Sequence, residues 1–95
     1  MKTKGNQDNY ERLFNKIILT YNDPKHLMYK KMSHILRYIT PGDTLIDVGC
    51  GIGEFIVRIQ DQFNTIVGVD ISQPEIDFAK KRIGNSKKVF FIVEG

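Results

Sequence analysis

Apolar residues follow two different patterns along this chain, and the change falls near residue 41. In the first part they stand at Tyr10, Leu13, Phe14, Ile17, Ile18 and Tyr21, three and four apart, which is the spacing of one helical face. Residues 1–9 are polar, and the sequence predicts a frayed end there. The stretch "YNDP" then breaks the pattern. Asp23 is expected to cap a second helix, with Pro24 at its first position, where a missing N–H costs nothing. That helix would carry Met28, Met32, Ile35, Leu36 and Ile39 on one side and stop at "TPGD", a turn made by Pro41 and Gly42.

Beyond that turn the apolar runs shorten. "TLIDVG" has the texture of a strand buried on both faces. Phe55, Ile56, Ile59 and Phe63 return to helical spacing, and "TIVGVD" predicts a second buried strand. "SQPE" opens a further helix, with Ser72 as cap, Pro74 in the first turn and Glu75 as the reciprocal capping-box acid. Ile76, Ala79 and Ile83 supply its inner face, and Gly84-Asn85 its stop. "KVFFIVEG" predicts a third strand. The order is helix, helix, then β-α-β-α-β. It defines an α/β class with a parallel sheet and right-handed crossovers, preceded by two leading helices. The expected organisation is a helical segment over 1–41 and a β/α segment over 42–95.

Composition narrows this picture only slightly. Ninety-five residues make one small domain at most, with a thin stability margin. No apolar run approaches the roughly 20 residues of a membrane span, and the polar amino terminus lacks a signal-peptide core. Cys50 is the single cysteine, so no intramolecular disulfide can form, and no Cys/His spacing suggests zinc. A cytoplasmic protein without membrane partners is expected. The net charge of +3 is uneven: residues 1–41 carry eight Lys/Arg against three Asp/Glu, and residues 42–95 six against eight. The basic residues are spread singly, which reads as a solvated helical surface rather than a nucleic-acid stripe.

The candidate chemistry lies in "LIDVGCGIGEF", residues 45–55. Glycines between a strand and a helix permit positive φ and bring bare backbone N–H groups close to a ligand. A nucleoside-triphosphate loop requires a Gly-Lys-Ser/Thr ending, which is absent here. A dinucleotide fingerprint requires G-x-G-x-x-G, but Glu54 occupies the third glycine position, where an acid would face and repel a pyrophosphate. The spacing instead is Asp47-x-Gly49-x-Gly51-x-Gly53. Cys50 reads as a small residue fitted between glycines, since nothing basic nearby would activate a thiolate. His26 and His34 are candidate bases, with surface or packing roles as the plainer reading. Tyr10 and Tyr21 would touch a ligand if the leading helices folded over it.

"LIDVGCGIGEF" followed by "VGVDIS" resembles the first two motifs of the class I S-adenosylmethionine-dependent methyltransferases, over about residues 42–95. The resemblance implies a three-layer Rossmann-like sheet, here incomplete, and S-adenosyl-L-methionine as cofactor. It implies that Asp47 lies beside the methionine portion and that Gly49, Cys50, Gly51 and Gly53 form the close-fitting turn. Asp70 would accept hydrogen bonds from both ribose hydroxyls, and Ile71 would pack on adenine. Acids suit such a ligand, since Coulomb attraction favours its sulfonium and ammonium charges.

The family sheet has seven strands in the order 3-2-1-4-5-7-6, and this chain supplies three. It reads as the front of a longer methyltransferase, or as a chain whose sheet a partner or an exchanged copy completes. The first strand should therefore be an exposed apolar edge. A small-molecule methyl acceptor is favoured by the leading helices, with RNA a weaker alternative, and no catalytic residue is nominated. The rival readings are a non-catalytic or partner-dependent cofactor-binding subunit and a dinucleotide oxidoreductase.

Overall fold

The computed structural model describes residues 4–95. They divide into two units, one up to Ile39 and one from Thr40 to Gly95. The first holds α1 (Lys4–Tyr21) and α2 (Leu27–Leu36). Helix α1 begins well before Tyr10, so residues 4–9 are helical rather than frayed. Once the amphipathic stretch has formed a nucleus, each further polar residue adds a hydrogen bond at little cost. Residues 1–3 of the expected frayed end lie outside the described residues.

The start of α2 also departs from expectation. Asp23 does not cap it; its Oδ1 accepts the Lys25 N–H at 3.0 Å, closing a local turn. The cap is His26, whose Nδ1 accepts the Met28 N–H at 3.1 Å. The helix ends at Leu36, and the N–H groups of Arg37, Tyr38 and Ile39 reach back three residues to tighten the exit. Ile39 thus lies outside the helix, and none of the α2 residues is buried.

The second unit runs β1 (Gly42–Val48), α3 (Glu54–Ile59), a short 3₁₀ turn (Gln60–Gln62), β2 (Phe63–Asp70), α4 (Gln73–Ile83) and β3 (Val89–Val93). The strands form one parallel sheet in the order β1-β2-β3. This is the predicted α/β arrangement, with β1 at an edge. Phe63, expected at the end of the helix, opens β2 instead. The 3₁₀ turn resets the phase, so the four-residue spacing from Ile59 is accidental.

The register places two kinds of rows across the sheet. Leu45, Ile66 and Val89 form one row, and Asp47, Gly68 and Phe91 the next. Ile66 and Val89 are buried, along with Ile56 and Ile59 of α3 and Ile76 and Ala79 of α4. Each such isoleucine contributes about 1.5–3 kcal/mol by leaving water, which makes this face the core of the unit. The alternate rows, Ile46-Val67-Phe90 and Val48-Val69-Ile92, project to the other face. There Val48 is 80% exposed and Ile46 62%, the apolar edge anticipated from the sequence. Among the described residues, no helix is long and apolar enough to cross a membrane.

Candidate functional site

The carboxyl ends of β1 and β2 meet at the glycine turn. All three glycines have left-handed backbone, with φ of 79° at Gly49, 53° at Gly51 and 83° at Gly53. Two adjacent N–H groups, of Gly49 and Cys50, donate to the Val69 carbonyl at 2.7 and 3.0 Å. This pins the turn to β2. A Cβ at Gly49 would meet nothing within 4 Å, so the space there is open. A Cβ at Gly53 would lie 3.4 Å from that of Ala79. Gly53 therefore lets α3 start close against α4.

Asp70 ties the turn to the next loop. Its Oδ2 accepts the Gly51 N–H and its Oδ1 accepts the Ser72 N–H, both at 2.9 Å. A carboxylate offers about four lone-pair positions, so each oxygen can still accept one more donor. Ser72 caps α4 as expected, its Oγ accepting the Glu75 N–H at 3.5 Å. The reciprocal half of the capping box is not made, because Asp70 has taken the Ser72 N–H. Glu75 is left facing the turn, with its Oε1 3.7 Å from where a Cβ on Gly51 would be. The sequence reading spent Glu75 on capping and missed this placement.

Asp47 is half-buried near the end of β1. Burial raises its pKa above the ordinary 3.8, and the neighbouring charge of Asp70 adds to the rise. Cys50 is 7% exposed and lies beneath the turn against Gly68. Its thiol is pushed up to about 11 by burial first, then by Asp47 and Asp70. It is a packed thiol rather than a nucleophile. Thiol reagents at pH 7.5 are therefore expected to modify the folded chain far more slowly than the urea-unfolded chain. Because the folded value lies above the ordinary 9.0, the thiol's contribution to stability is complete below pH 9 and is lost toward pH 11.

Two further placements complete the set. Ile71 is 76% exposed beside the turn, and its side chain comes up against Gly95. Glu54 is 7% exposed. Its carboxylate is paired with Arg58 and Arg82, each at 2.7 Å, which corrects the expectation that it would repel a pyrophosphate directly. The local capping role of His26 is described above, His34 meets the ring of Tyr38 edge-on at 5.3 Å, and Tyr10 stacks on Phe14. Among the described residues, no group of three His, Cys, Asp or Glu is placed to hold a metal ion.

A parallel sheet with a left-handed glycine turn after its first strand and an acid closing its second defines a Rossmann-like domain. The methyltransferase domain family matches residues 39–94, more than half of the chain, and the chain belongs to that family. "Putative methyltransferase YqeM" of Bacillus subtilis is 27% identical over 48 residues, 50% of this chain and 19% of its own length. Among solved structures, a TehB-like SAM-dependent methyltransferase from Corynebacterium glutamicum superposes with a TM-score of 0.65 at 19% identity, over 98% of this chain and 47% of its own. Phosphoethanolamine N-methyltransferase 1 of Haemonchus contortus, solved with phosphoethanolamine and S-adenosylhomocysteine, superposes at 0.64 and 15% identity, over 100% of this chain and 22% of its own. The chain thus spans about half the length, or less, of these relatives.

Proposed function

We propose that this chain binds S-adenosylmethionine at the glycine turn and forms the cofactor half of a methyltransferase that acts on a small molecule. The observation that carries the reading is the Asp70 carboxylate, bonded to the Gly51 N–H beside the open position of Gly49 in a chain of the methyltransferase domain family. The donor set fits the cofactor. Asp47, Asp70 and Glu75 present acceptors and negative charge, while Arg58 and Arg82 are turned onto Glu54. Such a site suits hydroxyl and ammonium donors better than phosphates.

When bound, the cofactor supplies an electrophilic methyl group on a sulfonium. The chain's own part is to bind and orient it. The free lone pairs of Asp70 would receive the ribose hydroxyls, and Asp47 would face the cationic methionine portion. Ile71 would cover the adenine. A small-molecule acceptor is supported by the leading helices and by the phosphoethanolamine in one structural relative. Because the chain spans 47% or less of those relatives, we assign the acceptor site and catalytic groups to sequence outside it. The apolar rows on the uncovered face are surface for that remainder, or a partner chain, to cover. By itself the chain is read as binding without transfer.

Calorimetric titration with S-adenosylhomocysteine tests this, with NADH as the rival ligand. Saturable binding of the first and none of the second is expected. The reverse would return the site to the dinucleotide oxidoreductases. A pH series adds a sign. The ammonium group favours ionised Asp47, so affinity should rise as pH climbs through its raised pKa, with proton release on binding in that range. Asp47→Asn should flatten that dependence and weaken binding. It should also stabilise the ligand-free chain at neutral pH, because the buried charge opposes folding there.

A further inference from the structure

The reading above uses the buried acid Glu54 and the two arginines that face it only to account for the charge of the site. Arg82 Nη1 donates to Glu54 Oε1 at 2.7 Å and to the Ile52 carbonyl at 3.1 Å. Arg58 Nη1 donates to Glu54 Oε2 at 2.7 Å and to the Glu54 carbonyl at 2.6 Å. A buried ion pair is by itself a weak source of stability, since desolvation cancels much of the attraction. Its location suggests a different use.

The turn from Gly49 to Gly53 holds three left-handed glycines and leads into a helix of six residues whose N-cap, Gly53, makes no side-chain cap bond. Such a segment loses much conformational entropy when fixed in one shape. At its start it is held to β2 by Val69 and Asp70. At its end the hold comes from the last turn of α4, where Arg82 reaches back 30 residues to Ile52 and 28 to Glu54. The cap of the same helix, Ser72, is bonded to Asp70, so α4 is tied to the start of the turn through β2 and to its end directly.

We propose that Arg82 is a positioning residue for the cofactor turn. Through the Ile52 carbonyl and the Glu54 carboxylate it holds residues 51–54 in the shape that receives the ligand, so affinity as well as fold depends on it. The consequence for affinity rests on the reading of this turn as the cofactor site; the hold on the turn does not.

The test compares wild type, Arg82→Met and Arg82→Lys in the full chain by S-adenosylhomocysteine titration, thermal unfolding and amide hydrogen exchange. At a temperature where circular dichroism shows it folded, Arg82→Met should bind about tenfold more weakly. It should also exchange faster at Gly51, Ile52 and Gly53, with Ile66 to Val69 unchanged. Arg82→Lys keeps the charge and a donor and should recover part of both effects, and it carries the test if Arg82→Met does not fold. A lowered melting temperature with wild-type affinity and wild-type exchange at the turn would make Arg82 merely structural and overturn the proposal. If wild type ignores S-adenosylhomocysteine, the cofactor reading fails, and the exchange comparison still decides whether Arg82 holds the turn.

Discussion

Asp70→Ala is expected to abolish measurable binding of S-adenosylhomocysteine, with an affinity at least about a hundredfold below wild type. Two losses combine. The ligand would lose its acceptor for two ribose hydroxyls, and a hydrogen bond to a charged group contributes about 1.5–3 kcal/mol. The protein would lose the bridge from the Gly51 N–H to the Ser72 N–H, leaving two part-buried donors to water and the turn unlinked from α4. At about 1.4 kcal/mol per tenfold, the ligand bonds alone account for the expected drop. Asp70→Asn separates the two parts. Its one carbonyl oxygen can replace only one of the two carboxylate oxygens that receive the N–H groups, and its NH2 group cannot accept from a hydroxyl, so an intermediate affinity is expected. Calorimetry supplies the affinities and thermal unfolding the stability change. An Asp70→Ala chain that binds within fivefold of wild type would remove Asp70 from the ribose site.

What the sequence shows clearly is what depends on near neighbours in the chain. The strand-turn-helix order, the left-handed glycines, the Ser72 cap and the acid ending the second strand all follow from local spacing, and the structure has each of them. Local reading fails where two local solutions compete. Asp23-Pro24 looks like the opening of a helix, but the carboxylate closes a turn onto Lys25 and the Nδ1 of His26 serves as the cap. It fails again where a partner is remote. The charge of Glu54 was plain, but its neutralisation by Arg82 joins residues 28 apart. The freedom of Glu75 depended on Asp70 taking the Ser72 N–H first, a choice between two good acceptors that the sequence does not rank. The methyl acceptor is unread for a further reason, since the chain spans only part of its relatives.

Gly68 carries the other large effect, and its importance is not visible from its neighbours in the sequence. It lies in the middle of β2 with Asp47 and Phe91 as its register partners. A Cβ there would come within 2.9 Å of Cys50 Sγ, Ile56 Cδ1 and Phe91 Cδ1 together. Any one of these atoms could shift at modest cost, but Ile56 is fully buried and Cys50 nearly so, and relief from one drives into another. Gly68→Ala should therefore destabilise the chain by about 1–3 kcal/mol from overpacking. The backbone entropy removed from the unfolded chain, about 0.4–1 kcal/mol, offsets only part of this. For a domain of this size each kcal/mol moves the melting temperature by about 4–8 °C, so a clear drop should appear in a thermal scan. Cys50→Ala vacates the Sγ position, and the double variant should lose less than the sum of the single losses. That coupling would locate the strain under the glycine turn, since Cys50 packs against Gly68 and is one of the residues through which β2 supports the turn. Pressure on Cys50 should also displace the turn and weaken S-adenosylhomocysteine binding in Gly68→Ala, and Cys50→Ala should restore part of it. Full additivity of the two substitutions would instead mean that the turn rests on its hydrogen bonds to Val69, Asp70 and Arg82, with the thiol only filling space beneath it.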